Sequence, residues 1–284
     1  MDDLRRSDNV EDRRGRSLGR TGAGVGIGTL VVVVIAYFMG ADPSTLLGLL
    51  ESSAPPTAAD GTPAGPPPAN DPQADFARAV LGETEDVWTT VFKENGARGY
   101  PPPTLVLYNG SVESACGLSS AASGPFYCPG DQKLYLDLDF FGELEQRFGA
   151  PGDFARAYVI AHEVGHHVQA LIGTTEIVEK ARRSSSPEIA NRTLVKLELQ
   201  ADCYAGIWAN RAERAHRIME SGDLEEALGA AAAVGDDTLQ RQGQGYVVPE
   251  TFTHGSAEQR ARWFRRGFDK GRLEDCDTFN AASL

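Results

Sequence analysis

Gly22 to Gly40 (GAGVGIGTLVVVVIAYFMG) carries no charge over 19 residues, and residues 41–72 hold eight of the chain's sixteen prolines. An uncharged apolar run of that length matches the hydrocarbon thickness of a bilayer. The proline-rich stretch has almost no bulky apolar side chain after Leu50, so it cannot bury enough surface to fold. It should act as an extended spacer, at ~3 Å per residue. What remains, residues 73–284, has the length of a single folded domain.

Arg5, Arg6, Arg13, Arg14, Arg16 and Arg20 precede the apolar run, and no Lys or Arg follows until Arg78. By the positive-inside rule the N-terminus stays in the cytoplasm and the rest lies outside. The expected order is a cytoplasmic Arg-rich leader (1–21), a transmembrane helix (22–40), a disordered linker (41–72) and an extracytoplasmic domain (73–284). A cleaved signal peptide is disfavoured, because no clear small-x-small site follows the long apolar run. A phosphate-binding loop is excluded by the lack of Gly-x-Gly-x-x-Gly between strand and helix. Gly22/Gly26 and Gly24/Gly28 form small-xxx-small pairs that would let two spans pack as a homodimer.

The formal net charge is −13. Residues 1–20 carry six Arg against five acids, which leaves 21 basic and 35 acidic residues elsewhere. That balance argues against nucleic acid as a partner. Four cysteines in an extracytoplasmic domain suggest two disulfides, with three connectivities open. Cys116–Cys128 would close a short Gly/Ser/Pro-rich loop and leave Cys203–Cys276 to tie a central helix to the C-terminal tail. No Cys-x-x-Cys is present, so a cysteine zinc site is disfavoured.

Ala161-His162-Glu163-Val164-Gly165-His166-His167 lies in an amphipathic helical pattern expected to start with Asp153 as N-cap and stop at Gly173. Positions i and i+4 share a helix face, so His162 and His166 can offer nitrogens to one zinc ion. Glu163 projects beside them, where it could take a proton from a metal-activated water. The rival reading is a helix carrying solvated His and Glu. His167 lies about 100° round the helix from His166 and should pack or support rather than share the metal.

A catalytic zinc takes three protein ligands and keeps a position open. The next strong helix begins at Ser186-Pro187-Glu188, with Ser as N-cap and Pro in the first turn. Along it Leu194, Glu198, Ala201, Asp202 and Ala205 share a face. Two carboxylates on an apolar face are costly unless a charge compensates them. Glu198 is therefore the expected third ligand, and Asp202 the acceptor of the outer N–H of a ligating His. Asp202 as direct ligand is the lesser variant. His216 and His254 are further candidates without supporting spacing.

Elsewhere Asp75 to about Glu94 reads as a helix, Thr104–Tyr108 as a strand, and the alternating Lys133–Phe140 as a half-buried strand. Ser256-x-x-Gln259 reads as a capping box opening a short helix with Trp263 and Phe264. Arg260, Arg262, Arg265 and Arg266 read as surface ion-pair residues. The class is α+β, mainly helical with a small sheet, behind a single N-terminal transmembrane helix.

The stretches His162–His167, Leu197–Gly206, Val248–Ser256 and Glu258–Arg260, with Tyr135–Leu138 and Phe140-Phe141, resemble the bacterial neutral zinc metallopeptidases, over about residues 75–280. The resemblance implies a zincin-like fold with one zinc and a single N-terminal span. Zincin peptidases commonly place an edge strand above the active-site helix, where an extended substrate adds as another strand. Thr104–Tyr108 and Lys133–Phe140 are the candidates for it.

The expected chemistry is metal-assisted amide hydrolysis of a peptide or protein substrate, with Zn2+ as cofactor and Glu163 as general base. His254 is the candidate oxyanion stabiliser, with Tyr246 behind it. The alternative is a membrane-tethered adaptor whose zinc only holds the fold. A third reading is zinc chemistry on a bond other than an amide.

Overall fold

The computed structural model describes residues 1, 3–14, 65–120 and 124–284. The expected span at 22–40 and the spacer up to residue 64 lie outside the described residues. Among the described residues no helix is long and apolar enough to cross a membrane.

Helix α1 (Pro72–Glu94) starts three residues before the expected Asp75, because Asp71 accepts from the backbone N–H groups of Gln73 and Ala74 and Pro72 suits the first turn. It is followed by α2 (Phe140–Gln146), α3 (Asp153–Leu171), α4 (Thr175–Ser184) and α5 (Pro187–His216). Then come α6 (Asp223–Ala233), α7 (Asp236–Gln244) and α8 (Ala257–Lys270). Helix α3 packs on α5 and α6, α8 crosses α5 and α6, and α1 lies against α3 and α5. Trp88, Phe154, Tyr158, Trp208 and Phe264 are fully buried where these helices meet. Phe154 stacks on Trp208 with centroids 5.6 Å apart, and Trp88 meets Tyr204 edge-on at 5.5 Å. Burying aromatics of this size contributes most of the driving force for such a core.

Two caps decide how α3 and α8 begin. Asp153 is the first residue of α3 rather than its N-cap; Gly152 precedes it, and Glu226 of α6 accepts the Phe154 N–H at 3.2 Å. A carboxylate from another helix thus replaces the local cap. The expected capping box of Ser256 and Gln259 is present at the start of α8.

The main sheet runs β1 (Val10–Asp12), β2 (Thr104–Tyr108), β6 (Lys133–Asp137) and β5 (Phe126–Cys128) in space. Only the β5–β6 pairing is antiparallel. Leu105 and Leu107 sit opposite Leu134 and Leu136 and face the helical core, while Val106, Tyr108 and Tyr135 form a second cluster with Val112 and Cys128. Both faces are covered, as expected of central strands. The strand expected over 133–140 stops at Asp137, whose carboxylate accepts from Gly110 N and Asp139 N and turns the chain into α2. A hairpin, β3 (Ser111–Ser114) with β4 (Gly117–Ser120), stands beside the sheet. The disulfides are Cys116–Cys128 and Cys203–Cys276.

The expected separate leader is corrected by the fold. Residues 3–14 pack on the domain, and β1 completes the sheet by parallel pairing with β2. Arg5 reaches Glu85, Asp86 and the Gly82 carbonyl; Ser7 Oγ and Asn9 Nδ2 donate to Glu85 at 2.6 and 2.7 Å. Arg6 pairs with Asp75, and Arg14 with Asp12 and Asp71. These arginines serve a folded surface, so their count says little about which side of a bilayer they occupy. Gly82 is required here: a Cβ on it would stand 2.5 Å from Arg5 O. The spacer also ends earlier than expected, since Gly65 bridges Asp12 and Pro72 is already helical.

Candidate metal centre

His162 and His166 share one face of α3, and their rings meet edge-on with centroids 4.8 Å apart. Helix α5 crosses that face closely enough to bring in a carboxylate. The crossing depends on Gly165, whose missing Cβ would meet Ala201 O at 3.0 Å and Ala201 Cα at 3.2 Å. Glu198 and Asp202, one turn apart on α5, then flank the histidines. Glu198 Oε2 lies 3.3 Å from His162 Nε2 and 3.6 Å from His166 Nε2. One ligand atom from each of the three lies within 4.8 Å of the others, a spacing that could hold a metal ion. The expected ligand set is therefore brought together.

The outer nitrogens fix the tautomers. Asp202 Oδ1 lies 2.9 Å from His162 Nδ1; an ionised carboxylate only accepts, so Nδ1 carries a proton and Nε2 is the nitrogen that a metal ion could take. Gln169 does the same for His166. Its Nε2 donates to Leu197 O at 2.7 Å and Gln200 Oε1 at 3.1 Å, which leaves Oε1 to accept from His166 Nδ1 at 2.9 Å. Both Nε2 atoms thus face Glu198. Two imidazoles and one carboxylate suit zinc, and the donor set fits it. Burial opposes charge on His162, but Asp202 and Glu198 outweigh it and raise its pKa to about 9. Burial likewise opposes the charge on Glu198, yet the two histidines hold its pKa well below the ordinary range. A cation binding here would displace protons, so affinity should rise with pH.

Glu163 stands apart from these satisfied groups. Its carboxylate lines the cleft beside the histidines, burial raises its pKa, and no hydrogen bond among the described residues restrains it. The cleft has a volume of about 830 Å³. Its walls include Phe126 and Tyr127 of β5, Phe140 of α2, Val178 of α4 and His254. His254 is 49% exposed, and its Nδ1 faces Asp236 Oδ1 at 3.1 Å. Asp236 Oδ2 accepts the backbone N–H groups of Thr253, His254 and Gly255, which fixes the loop. The bond to Asp236 raises the His254 pKa against the effect of burial.

Several expectations are corrected. The strand beside the active-site helix is β5; β2 and β6 lie inside the sheet, so neither candidate strand has a free edge. His216 pairs with Glu83 at 2.9 Å and is outside the ligand cluster. Tyr246 is 63% exposed and does not line the cleft. Arg260, read as a surface residue, is 4% exposed and bonds Asp202; Arg262, Arg265 and Arg266 do make surface ion pairs. Asp202 is absent from the ligand cluster, and its Oδ1 lies 2.9 Å from His162 Nδ1. His167 packs: it bonds Tyr127 Oη at 3.0 Å and Pro101 O at 2.7 Å, tying α3 to β5.

Sequence reasoning passed over Tyr158, Gln169, Asp236 and the true place of Arg260. Tyr158 lies four residues before His162 and Gln169 three after His166, on the same face, and that spacing was a usable signal. Asp236 had none.

A family model described as "Putative neutral zinc metallopeptidase" matches residues 1–279, a range that includes β1. The uncharacterized protein YpfJ of Escherichia coli strain K12 is 44% identical over 284 residues, 97% of this chain and 96% of its own length. The uncharacterized proteins Mb2605 of Mycobacterium bovis and Rv2575 of Mycobacterium tuberculosis are each 45% identical over 196 residues, 66% of this chain and 65% of theirs. No solved structure matches.

Proposed function

The chain belongs to the neutral zinc metallopeptidase family, and on that premise we propose that it hydrolyses amide bonds of extended peptide segments laid in the cleft along β5. The observation that carries this reading is the pairing of an open three-residue ligand set with an unrestrained carboxylate, Glu163, on its cleft side. A zinc ion held by His162, His166 and Glu198 would supply Lewis acidity, polarising the scissile carbonyl and acidifying a water. Glu163 then accepts the proton of the attacking water and returns it to the leaving amine. His254, held by Asp236, donates to the oxyanion as it develops. Phe126 and Tyr127 lie in a strand with β6 as its only sheet neighbour among the described residues, which leaves an edge for a substrate strand.

The adaptor alternative calls for a closed coordination shell. Among the described residues no fourth His, Cys, Asp or Glu joins the cluster. From the anchor expectation we retain only that Gly22–Gly40 has the length and apolarity of a bilayer-embedded segment.

The test uses the full chain, because Val10–Asp12 form a strand of the sheet. Wild type and Glu163→Gln are assayed for bound zinc and for cleavage of a denatured protein mixture, read as new termini by mass spectrometry. Zinc in both with new termini only in wild type is the expected result. Full turnover by Glu163→Gln removes Glu163 as the base, and zinc in both with cleavage by neither favours the adaptor.

A further inference from the structure

Beneath His162 lies a buried guanidinium that the hydrolytic scheme does not use. Arg260 comes from α8, which reaches the site because α8 and α5 meet at backbone distance. A Cβ on Gly206 would collide with the Phe264 carbonyl, and one on Gly267 with that of Cys203. Arg260 Nε donates to Asp202 Oδ2 at 2.9 Å and Nη2 to Asp202 Oδ1 at 3.0 Å. Nη2 also reaches Tyr158 Oη at 3.2 Å, and Nη1 reaches Val234 O at 3.3 Å. Tyr158 Oη donates to Asp202 Oδ1 at 2.5 Å.

We propose that Arg260 is a positioning residue for the metal centre: its fork locks the plane of the Asp202 carboxylate so that Oδ1 stays aimed at His162 Nδ1. This rests on the reading that His162, His166 and Glu198 hold zinc.

The geometry favours orientation over simple charge balance. Asp202 Oδ1 serves three donors at once, namely Tyr158 Oη, His162 Nδ1 and Arg260 Nη2. A carboxylate free to rotate about its Cβ–Cγ bond could not hold all three. The two-point fork removes that rotation, which a lysine, with one mobile point charge, cannot do. A buried guanidinium is also costly to desolvate. On α8 it occupies a face shared with the buried Trp263, Phe264 and Gly267.

The two histidines are supported differently. Gln169 orients His166 through a neutral amide pinned by Leu197 O and Gln200. The His162 arm depends on a charged group from another helix, so α8 is coupled to metal affinity as well as to the core.

Zinc dissociation constants are measured by chelator competition on the full chain for wild type, Arg260→Met, Arg260→Lys, Asp202→Asn and the Arg260→Met/Asp202→Asn double variant. Arg260→Met should weaken zinc binding by roughly 10–100-fold, the usual range for groups supporting a metal ligand, with Arg260→Lys in between. On the Asp202→Asn background the further loss from Arg260→Met should shrink to about threefold or less, because the path through Asp202 is already broken. If Arg260→Met does not fold, Arg260→Lys decides alone through its weakened affinity. Wild-type affinity in Arg260→Lys, or an undiminished loss on the Asp202→Asn background, overturns the proposal. A wild-type chain that takes up no zinc overturns the metal centre and this inference with it.

Discussion

The floor and the rim of the cleft carry the same kinds of side chain under different restraint. On the floor, His162 and His166 each have a buried group fixing the outer nitrogen, and those groups are themselves bonded to helices. On the rim, His254 sits in a loop, half exposed, and is directed by Asp236 alone apart from its neighbour Thr253. The floor is built for one geometry, as a metal centre requires. On the rim the loop backbone is fixed by Asp236, but the imidazole itself is half exposed. A pre-organised floor should lose function all at once when a part is removed, whereas the rim should lose it by degrees.

The strongest test of that contrast is Glu198→Ala. Loss of one of three ligands should remove zinc and activity together, measurable as metal content after gel filtration. Retention of stoichiometric zinc would remove Glu198 from the ligand set.

The rim is tested by pH. The bond to Asp236 holds His254 protonated above the ordinary histidine value near 6.5. If the imidazolium donates to the oxyanion, the rate should fall as pH rises through that raised pKa. His254→Ala should retain zinc, lose about 10²–10³-fold in kcat and lose that alkaline limb. An unchanged limb in the variant would assign it elsewhere.

The smallest effect on turnover is expected far from the cleft. Gly82→Ala should push the 3–14 segment off α1 and cost about 1–3 kcal/mol of stability, read as a lower denaturation midpoint. Turnover per folded molecule should hardly change.

What the sequence disclosed follows the same division. His162, Glu163 and His166 were readable because one helix turn relates them, and Glu198 because an acid on an apolar stripe needs a reason. Arg260 was misread although the pattern was present. Arg260, Trp263, Phe264 and Gly267 fall at i, i+3, i+4 and i+7 on the buried face, whereas Arg262, Arg265 and Arg266 point outward. Counting arginines together hid that difference. Asp236 acts across 18 residues by accepting backbone N–H groups, a role without a local signature. Strand β1 was invisible for a related reason. Val-Glu-Asp has no apolar alternation, and its place is set by pairing with a strand some 95 residues later. The extent of the Lys133 strand was overestimated because alternation continued past Asp137, where a side-chain bond turns the chain.

That short strand also bears on geography. Asp12 N donates to Gly65 O at 2.9 Å, so these two positions lie side by side next to β1. With β1 paired to β2, residues 3–14 and the cleft belong to one folded unit. A start in the cytoplasm and a body outside would require the strand to be unzipped and its arginine contacts given up. A label on exposed Asp8 and a label on the cleft rim should therefore answer to the same impermeant reagent, whichever side of the envelope that proves to be.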